Sequence, residues 1–159
     1  TDIREPEDLT TYMEHALAEQ AAGRALPFAT VARESGRPVG GTRFGNIEPL
    51  NRRAEIGWTW LGAAWQRTTV NTEAKLLMLT HAFETWGCIR VELKTDALNQ
   101  ASRAAIARLG AKEEGTMRKH MVTQTGRVRD TVYYSILDDE WPALKARLEA
   151  RLRKAAGHS

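Results

Sequence analysis

The sequence predicts a mixed α/β (α+β) fold, one curved central sheet flanked by helices, built as a single domain over residues 1–159. Three observations carry that expectation. Residues 54–61, 71–86 and 89–95 run strand, helix, strand, the order of a crossover unit. Two further pairs of alternating segments are each joined by a glycine-bearing turn, at 34–38 and 124–127, and read as antiparallel hairpins. Hydrophobic residues make up 42% and charged residues 27% of the chain, a mix that sustains a buried core.

Residues 6–22 read as the first helix, with Pro6 in its first turn, Glu7 and Asp8 at its positive end, and Leu9, Met13, Ala16 and Leu17 as a modest apolar face. Residues 27–33 and 39–47 form the first hairpin. The next strand, 54–61, is expected to turn Glu55, Gly57, Thr59 and Leu61 one way and Ile56, Trp58 and Trp60 the other. The helix at 71–86 carries apolar residues around much of its circumference, from Leu76 to Trp86, and is expected to be buried on more than one side. Gly87 ends it. In 89–95, Ile89, Val91, Leu93 and Thr95 share a face. Asp96 or Asn99 starts the next helix and Gly110 stops it. Residues 117–123 and 130–137 make the second hairpin, and Asp138 or Asp139 caps a last helix containing Trp141, Leu144, Leu148 and Leu152.

Composition narrows the function classes. The net charge is +3, with Lys and Arg interleaved among Asp and Glu, which does not mark a nucleic-acid binder. The basic run at 151–154 reads as a solvated helix end. No apolar run approaches the ~18 residues of a membrane helix, and residues 1–7 carry no secretory pattern. The one cysteine, Cys88, cannot pair internally and reads as packing; together these point to the cytoplasm.

Four places could hold chemistry. Residues 65–75 place Arg67 and the hydroxyls of Thr68, Thr69 and Thr72 at the start of a helix, where free N–H groups and the dipole suit a phosphate. An ordinary cap by Asn71 or Thr72, with Glu73 and Lys75 solvated, explains the same residues. Asn99 and Ser102 are either a capped turn or a cofactor contact and a proton donor. Glu55 beside Gly57 is either a surface carboxylate or a base in an apolar site. His120 either faces a cleft or is structural, and His81 reads as a hydrogen-bonded core residue. No histidine has metal-ligand spacing, and no metal is expected.

Residues 26–152 also resemble the GCN5-related N-acetyltransferase (GNAT) superfamily, and within it the ribosomal-protein alanine acetyltransferase-like (RimJ/RimL-type) branch. The resemblance rests on the order of short pieces: Glu55-Ile56-Gly57-Trp58-Thr59-Trp60; Asn71-Thr72-Glu73-Ala74-Lys75 with His81-Ala82-Phe83-Glu84; Arg90-Val91-Glu92; Asp96 with Asn99 and Ser102; Leu109-Gly110-Ala111; Glu114-Gly115 with Arg118; and Gly126 to Thr131 leading to Tyr134-Ser135-Ile136.

The resemblance implies an acyl-CoA N-acyltransferase fold, acetyl-CoA as cofactor, and a primary amine as acceptor, either a protein N-terminus or a small molecule. It implies that the pyrophosphate rests on Arg67, Thr68, Thr69, Val70, Asn71 and Thr72. The pantetheine arm would pass the strand at Trp60 and Leu61 and meet Asn99. Glu55 would take the amine's proton, and Ser102 would protonate the departing thiolate. Relatives carry glycines about where Arg67 and Thr69 stand, and they open with a strand for which no counterpart is expected in this sequence. A CoA-binding protein without catalysis, transfer of another acyl group such as succinyl, and a ribosome-associated binding module are the alternatives; a homodimer is allowed.

Overall fold

The computed structural model describes residues 5–157. Helix α1 (Pro6–Ala21) leads into the hairpin β1 (Leu26–Val31) and β2 (Pro38–Glu48). Strand β3 (Arg53–Leu61), helix α2 (Val70–Thr80) and strand β4 (Arg90–Asp96) form the crossover unit. Helix α3 (Gln100–Leu109), the hairpin β5 (Lys112–Val122) and β6 (Val128–Leu137), and helix α4 (Trp141–Ala156) complete the chain. The sheet runs β1-β2-β3-β4-β6-β5. Only β3 and β4 are parallel; every other pairing is antiparallel.

The core lies where α2, α3 and α4 cover one sheet face. Phe44, Ile56, Val91, Leu93, Val132, Tyr134 and Ile136 meet Leu79, Ala82, Ile106, Leu109, Leu144 and Leu148 there. Alternation in β4 holds for Val91, Leu93 and Thr95, all buried, whereas Ile89 precedes the strand and is exposed. Asn99 caps α3, its side chain accepting the Ser102 N–H at 3.0 Å. The first residue of α4 is Trp141; neither Asp138 nor Asp139 is its cap. That position falls to Glu140, which accepts from the Leu137 N–H and pairs with Lys112.

Two sequence expectations fail for identifiable reasons. The helix expected through residue 86 is α-helical only to Thr80, and His81–Thr85 widens into a π turn closed by Trp86 N–H to the His81 carbonyl. The extra residue in this turn rotates the side chains beyond Thr80 about the helix axis. His81 is exposed, its ring against Phe44 and Trp86 (6.4 and 4.9 Å between centroids), and not the core residue expected. Leu77, 72% exposed, lies off the buried faces.

The second failure is in β3. Arg43 pairs with Gly57 and Gly41 with Trp60, so Trp58 and Thr59 both oppose Thr42. This is a β-bulge, with Trp58 at φ 50°. Every residue after Gly57 therefore changes face. Trp58 and Trp60 join Glu55 on the sheet face covered by α1, where Tyr12 meets the Trp60 ring edge-on. Thr59 turns instead to the α2 side and reaches Lys75. Room for the indoles comes from β2: a Cβ on Gly45 would stand 2.5 Å from the Trp58 ring, and one on Gly41 would stand 2.8 Å from Trp60 Nε1.

Candidate active site

Strands β3 and β4 pair only at Arg53–Arg90, Ala54–Val91 and Glu55–Glu92, then part. Parting leaves the β4-facing edge of Gly57–Leu61 without a strand partner, ready for an extended ligand to bond along it. A groove of about 910 Å³ fills the fork on the helix side. It is closed by the turn before α2, by α2 itself and by the first turn of α3.

Most of the sequence-predicted binding residues meet here. Trp60 and Leu61 line the groove from β3, Arg67, Thr68, Asn71 and Thr72 from the turn and α2, and Asn99 and Ser102 from α3. Thr69 and Val70 do not. They line a separate cavity of about 790 Å³ between α2 and the β1–β2 hairpin, with Phe28, Val31 and Leu77. Thr69 is the residue before the first turn of α2, so its side chain follows the outer helix surface and donates to Glu73 at 3.0 Å. The expected cap by Asn71 or Thr72 is absent; Thr68 Oγ1 instead accepts from the Val70 N–H at 3.4 Å.

The groove is built for negative charge. Arg67, Lys75, Arg108 and Arg151 line it, and among the described lining residues there is no Asp or Glu; Lys94 borders it from β4 but turns its ammonium to Glu55 on the other sheet face. Arg151, expected to be solvated, reaches back to the Arg108 carbonyl at 3.3 Å. Arg67 holds φ 61°, the left-handed region that a glycine enters without a Cβ penalty. Among the described lining residues, Asn71 Oδ1 is buried without a partner; Trp60 Nε1 is too, but on the sheet face covered by α1. Buried polar groups are ordinarily satisfied, so the Asn71 oxygen fits a ligand that carries amides and hydroxyls.

Lys75, expected to be solvated where the turn is an ordinary helix start, is instead buried. It is only 5% exposed, and its Nζ donates to Thr59 Oγ1 at 2.6 Å and Thr42 Oγ1 at 3.0 Å. Burial pulls its pKa down to about 7. Thr72 and Lys75, three residues apart on one helical face and both buried, are the available sequence signal.

Glu55 lies at the apex of the fork, on the opposite sheet face from the groove. It is 2% exposed, not a surface carboxylate. Its Oε2 accepts from Asn46 Nδ2 at 2.6 Å and pairs with Lys94 Nζ at 3.0 Å. Its Oε1 sits over Gly57, 3.3 Å from where a Cβ would stand. Lys94 in turn lies 5.8 Å from the Trp58 ring and 5.7 Å from Tyr133. His120, on β5, bonds Thr131 Oγ1 at 3.1 Å and meets Tyr133 edge-on, and it does not line the groove. Cys88 is buried and its thiol pushed up by burial, consistent with packing.

No helix among the described residues is long and apolar enough to cross a membrane. A family model described as "Acetyltransferase (GNAT) domain" matches residues 1–112. The curated protein named "Putative ribosomal N-acetyltransferase YdaF", from Bacillus subtilis (strain 168), is 36% identical over 100 residues, 63% of this chain and 54% of that protein. A solved GCN5-related N-acetyltransferase from Brucella melitensis superimposes with a TM-score of 0.83 at 35% identity, covering 91% of this chain and 63% of that one. Mycobacterium smegmatis RimJ, solved in complex with CoA-disulfide, gives a TM-score of 0.76 at 29% identity, covering 92% and 69%. The chain thus spans about half the length of YdaF and under two thirds of the Brucella protein.

Proposed function

The chain belongs to the acetyltransferase (GNAT) family, and from that premise we propose that it acts as one domain to move an acetyl group from acetyl-CoA to a primary amine. The observation that carries the reading is the cationic groove in the β3–β4 fork, lined by Arg67, Lys75, Arg108 and Arg151 with no carboxylate among its described lining residues. CoA is a polyanion with an amide-bearing arm, and both properties have counterparts in the walls. Arg67, Thr68 and the first N–H groups of α2 suit the pyrophosphate. The open edge of β3 suits the arm, and Asn71 Oδ1 is a group it would satisfy.

Acetyl-CoA supplies an activated thioester. The chain's residues then have three tasks. An N–H along the edge of Trp58–Leu61 polarises the carbonyl. Glu55, anchored through Oε2, receives the amine's proton at Oε1 from the far side of the fork. Ser102, in the first turn of α3, gives a proton to the departing sulfur. Holding both reactants across one fork supplies much of the rate gain. The acceptor we favour is a protein N-terminus, because the B. subtilis relative is named for a ribosomal substrate; a small-molecule amine is the competing acceptor. The setting we propose is the cytoplasm.

The test is thiol release from acetyl-CoA with a panel of N-terminal peptides and small amines, alongside calorimetry of CoA. Glu55→Gln is expected to lower kcat by about a hundredfold or more with CoA affinity held, and Ser102→Ala to lower kcat more than affinity. CoA binding with no transfer to any amine replaces this reading with a CoA-binding protein. Succinyl-CoA outperforming acetyl-CoA changes the acyl group.

A further inference from the structure

Lys75 has no task in the reaction just described, yet it is the most costly residue in the groove to keep. Its ammonium is buried and, among the described residues, donates to two neutral hydroxyls, Thr42 Oγ1 and Thr59 Oγ1, which also lie 2.9 Å from each other. Unpaired buried charge is strongly unfavourable. The surrounding elements offer no relief. From β2 and β3 come the two threonines; Glu55 faces the other side of the sheet, bonded to Lys94 and Asn46. Among the described residues, the turn, α3 and α4 bring the cations Arg67, Arg108 and Arg151 to the groove, and the β4 cation Lys94 is paired with Glu55 on the other sheet face. On α2 itself, Glu73 is turned to Thr69 and His81 to Phe44 and Trp86.

We propose that Lys75 is a ligand-binding cation whose missing counter-charge is the CoA phosphate chain, so that CoA entering the groove draws a proton from solvent onto Lys75 Nζ. The inference rests on the CoA reading of the groove and adds to it a specific residue and a proton count. With burial holding its pKa at about 7, much of the Lys75 population is neutral just above neutrality. A polyanion in the same groove favours the charged form. Linkage then makes CoA affinity fall as pH rises above about 7, by up to about tenfold per pH unit.

Calorimetry of CoA binding at pH 8 in buffers of differing ionisation enthalpy counts the protons. The wild type is expected to take up about half a proton or more beyond the uptake of Lys75→Met. Protons bound by CoA itself are common to both proteins and cancel. Lys75→Met is expected to fold, because Thr42 and Thr59 can bond each other once the ammonium is gone. A readout free of any variant is the wild type carrying 13Cε-lysine. One buried lysine resonance should titrate near pH 7 without CoA and stay charged to about pH 9 with it. Equal proton counts in the two proteins, or a titration unmoved by saturating CoA, overturn the role of Lys75 while leaving CoA binding intact. Failure of the wild type to bind CoA overturns both readings.

Discussion

Arg67 and Thr69 stand two residues apart in one turn, yet their backbones make opposite demands. Arg67 sits at φ 61°, where a Cβ costs ~1–2 kcal/mol. Thr69 sits at φ −72°, where it costs nothing. Relatives' glycines at both places therefore do not mean the same thing here. Arg67→Gly relieves strain but loosens the unfolded chain, so stability should move by less than about 1 kcal/mol. It also removes a guanidinium from the groove, and CoA should bind about tenfold more weakly. Thr69→Gly removes a side chain that lines the other cavity. It should cost about 1 kcal/mol of stability and change CoA affinity less than about twofold. Titration calorimetry and thermal melts of the two variants check both; a gain in affinity for Thr69→Gly would show that its Cβ does obstruct the phosphates.

At the scale of elements, the bulge in β3 decides which groups see the groove. It exchanges Trp58 for Thr59 on the helix side, which is how Lys75 finds a hydroxyl and how the Trp58 indole comes to lie beside Arg43 and Lys94. The Arg43 guanidinium, fully buried, lies 4.7 Å from the Tyr12 ring and 4.9 Å from Trp58. Gly45 is the position that permits this. Gly45→Ala would drive a methyl into a rigid indole from 2.5 Å, so we expect a loss of ~1–3 kcal/mol in urea denaturation. CoA affinity should fall with it, since the displaced strand edge is the groove wall; unchanged stability would mean that Trp58 is free to move. Strand alternation and glycine turns made the two hairpins and the crossover legible in the sequence, whereas pattern alone left Arg67, Asn99 and Ser102 open between caps and ligand contacts and the family resemblance pointed to them. Local pattern could not reveal the bulge, because period-two counting assumes one residue opposite one. The available clue was long-range: Gly41 and Gly45 on β2 facing Trp60 and Trp58 on β3. Lys75 was misread for the same reason, since its burial depends on which face Thr59 takes.

Over the whole molecule, a net charge of +3 says little, because most charges are used locally. Glu48 with Arg53, Glu114 with Arg90 and Glu84 with Lys145 pair on or near the surface. Arg67, Lys75, Arg108 and Arg151 converge on the β3–β4 fork instead, and the buried Lys75 carries the cost into the stability of the protein. Its folded pKa is about 7 against an ordinary 10.5. Between those values the unfolded chain holds a proton that the folded chain has released, so low pH favours unfolding. The penalty is fully present at and below pH 7 and disappears as pH approaches 10.5. Stability owed to this one group therefore rises with pH across that window, by up to about 1.4 kcal/mol per unit. Lys75→Met has no such proton to bind. Urea denaturation of both proteins at pH 6, 7.5 and 9 should show the Met variant's advantage largest at pH 6 and narrowing at each step, while the titrations they share cancel in the difference. Parallel curves would mean that Lys75 keeps its charge in the folded protein, held by groups other than the two threonines.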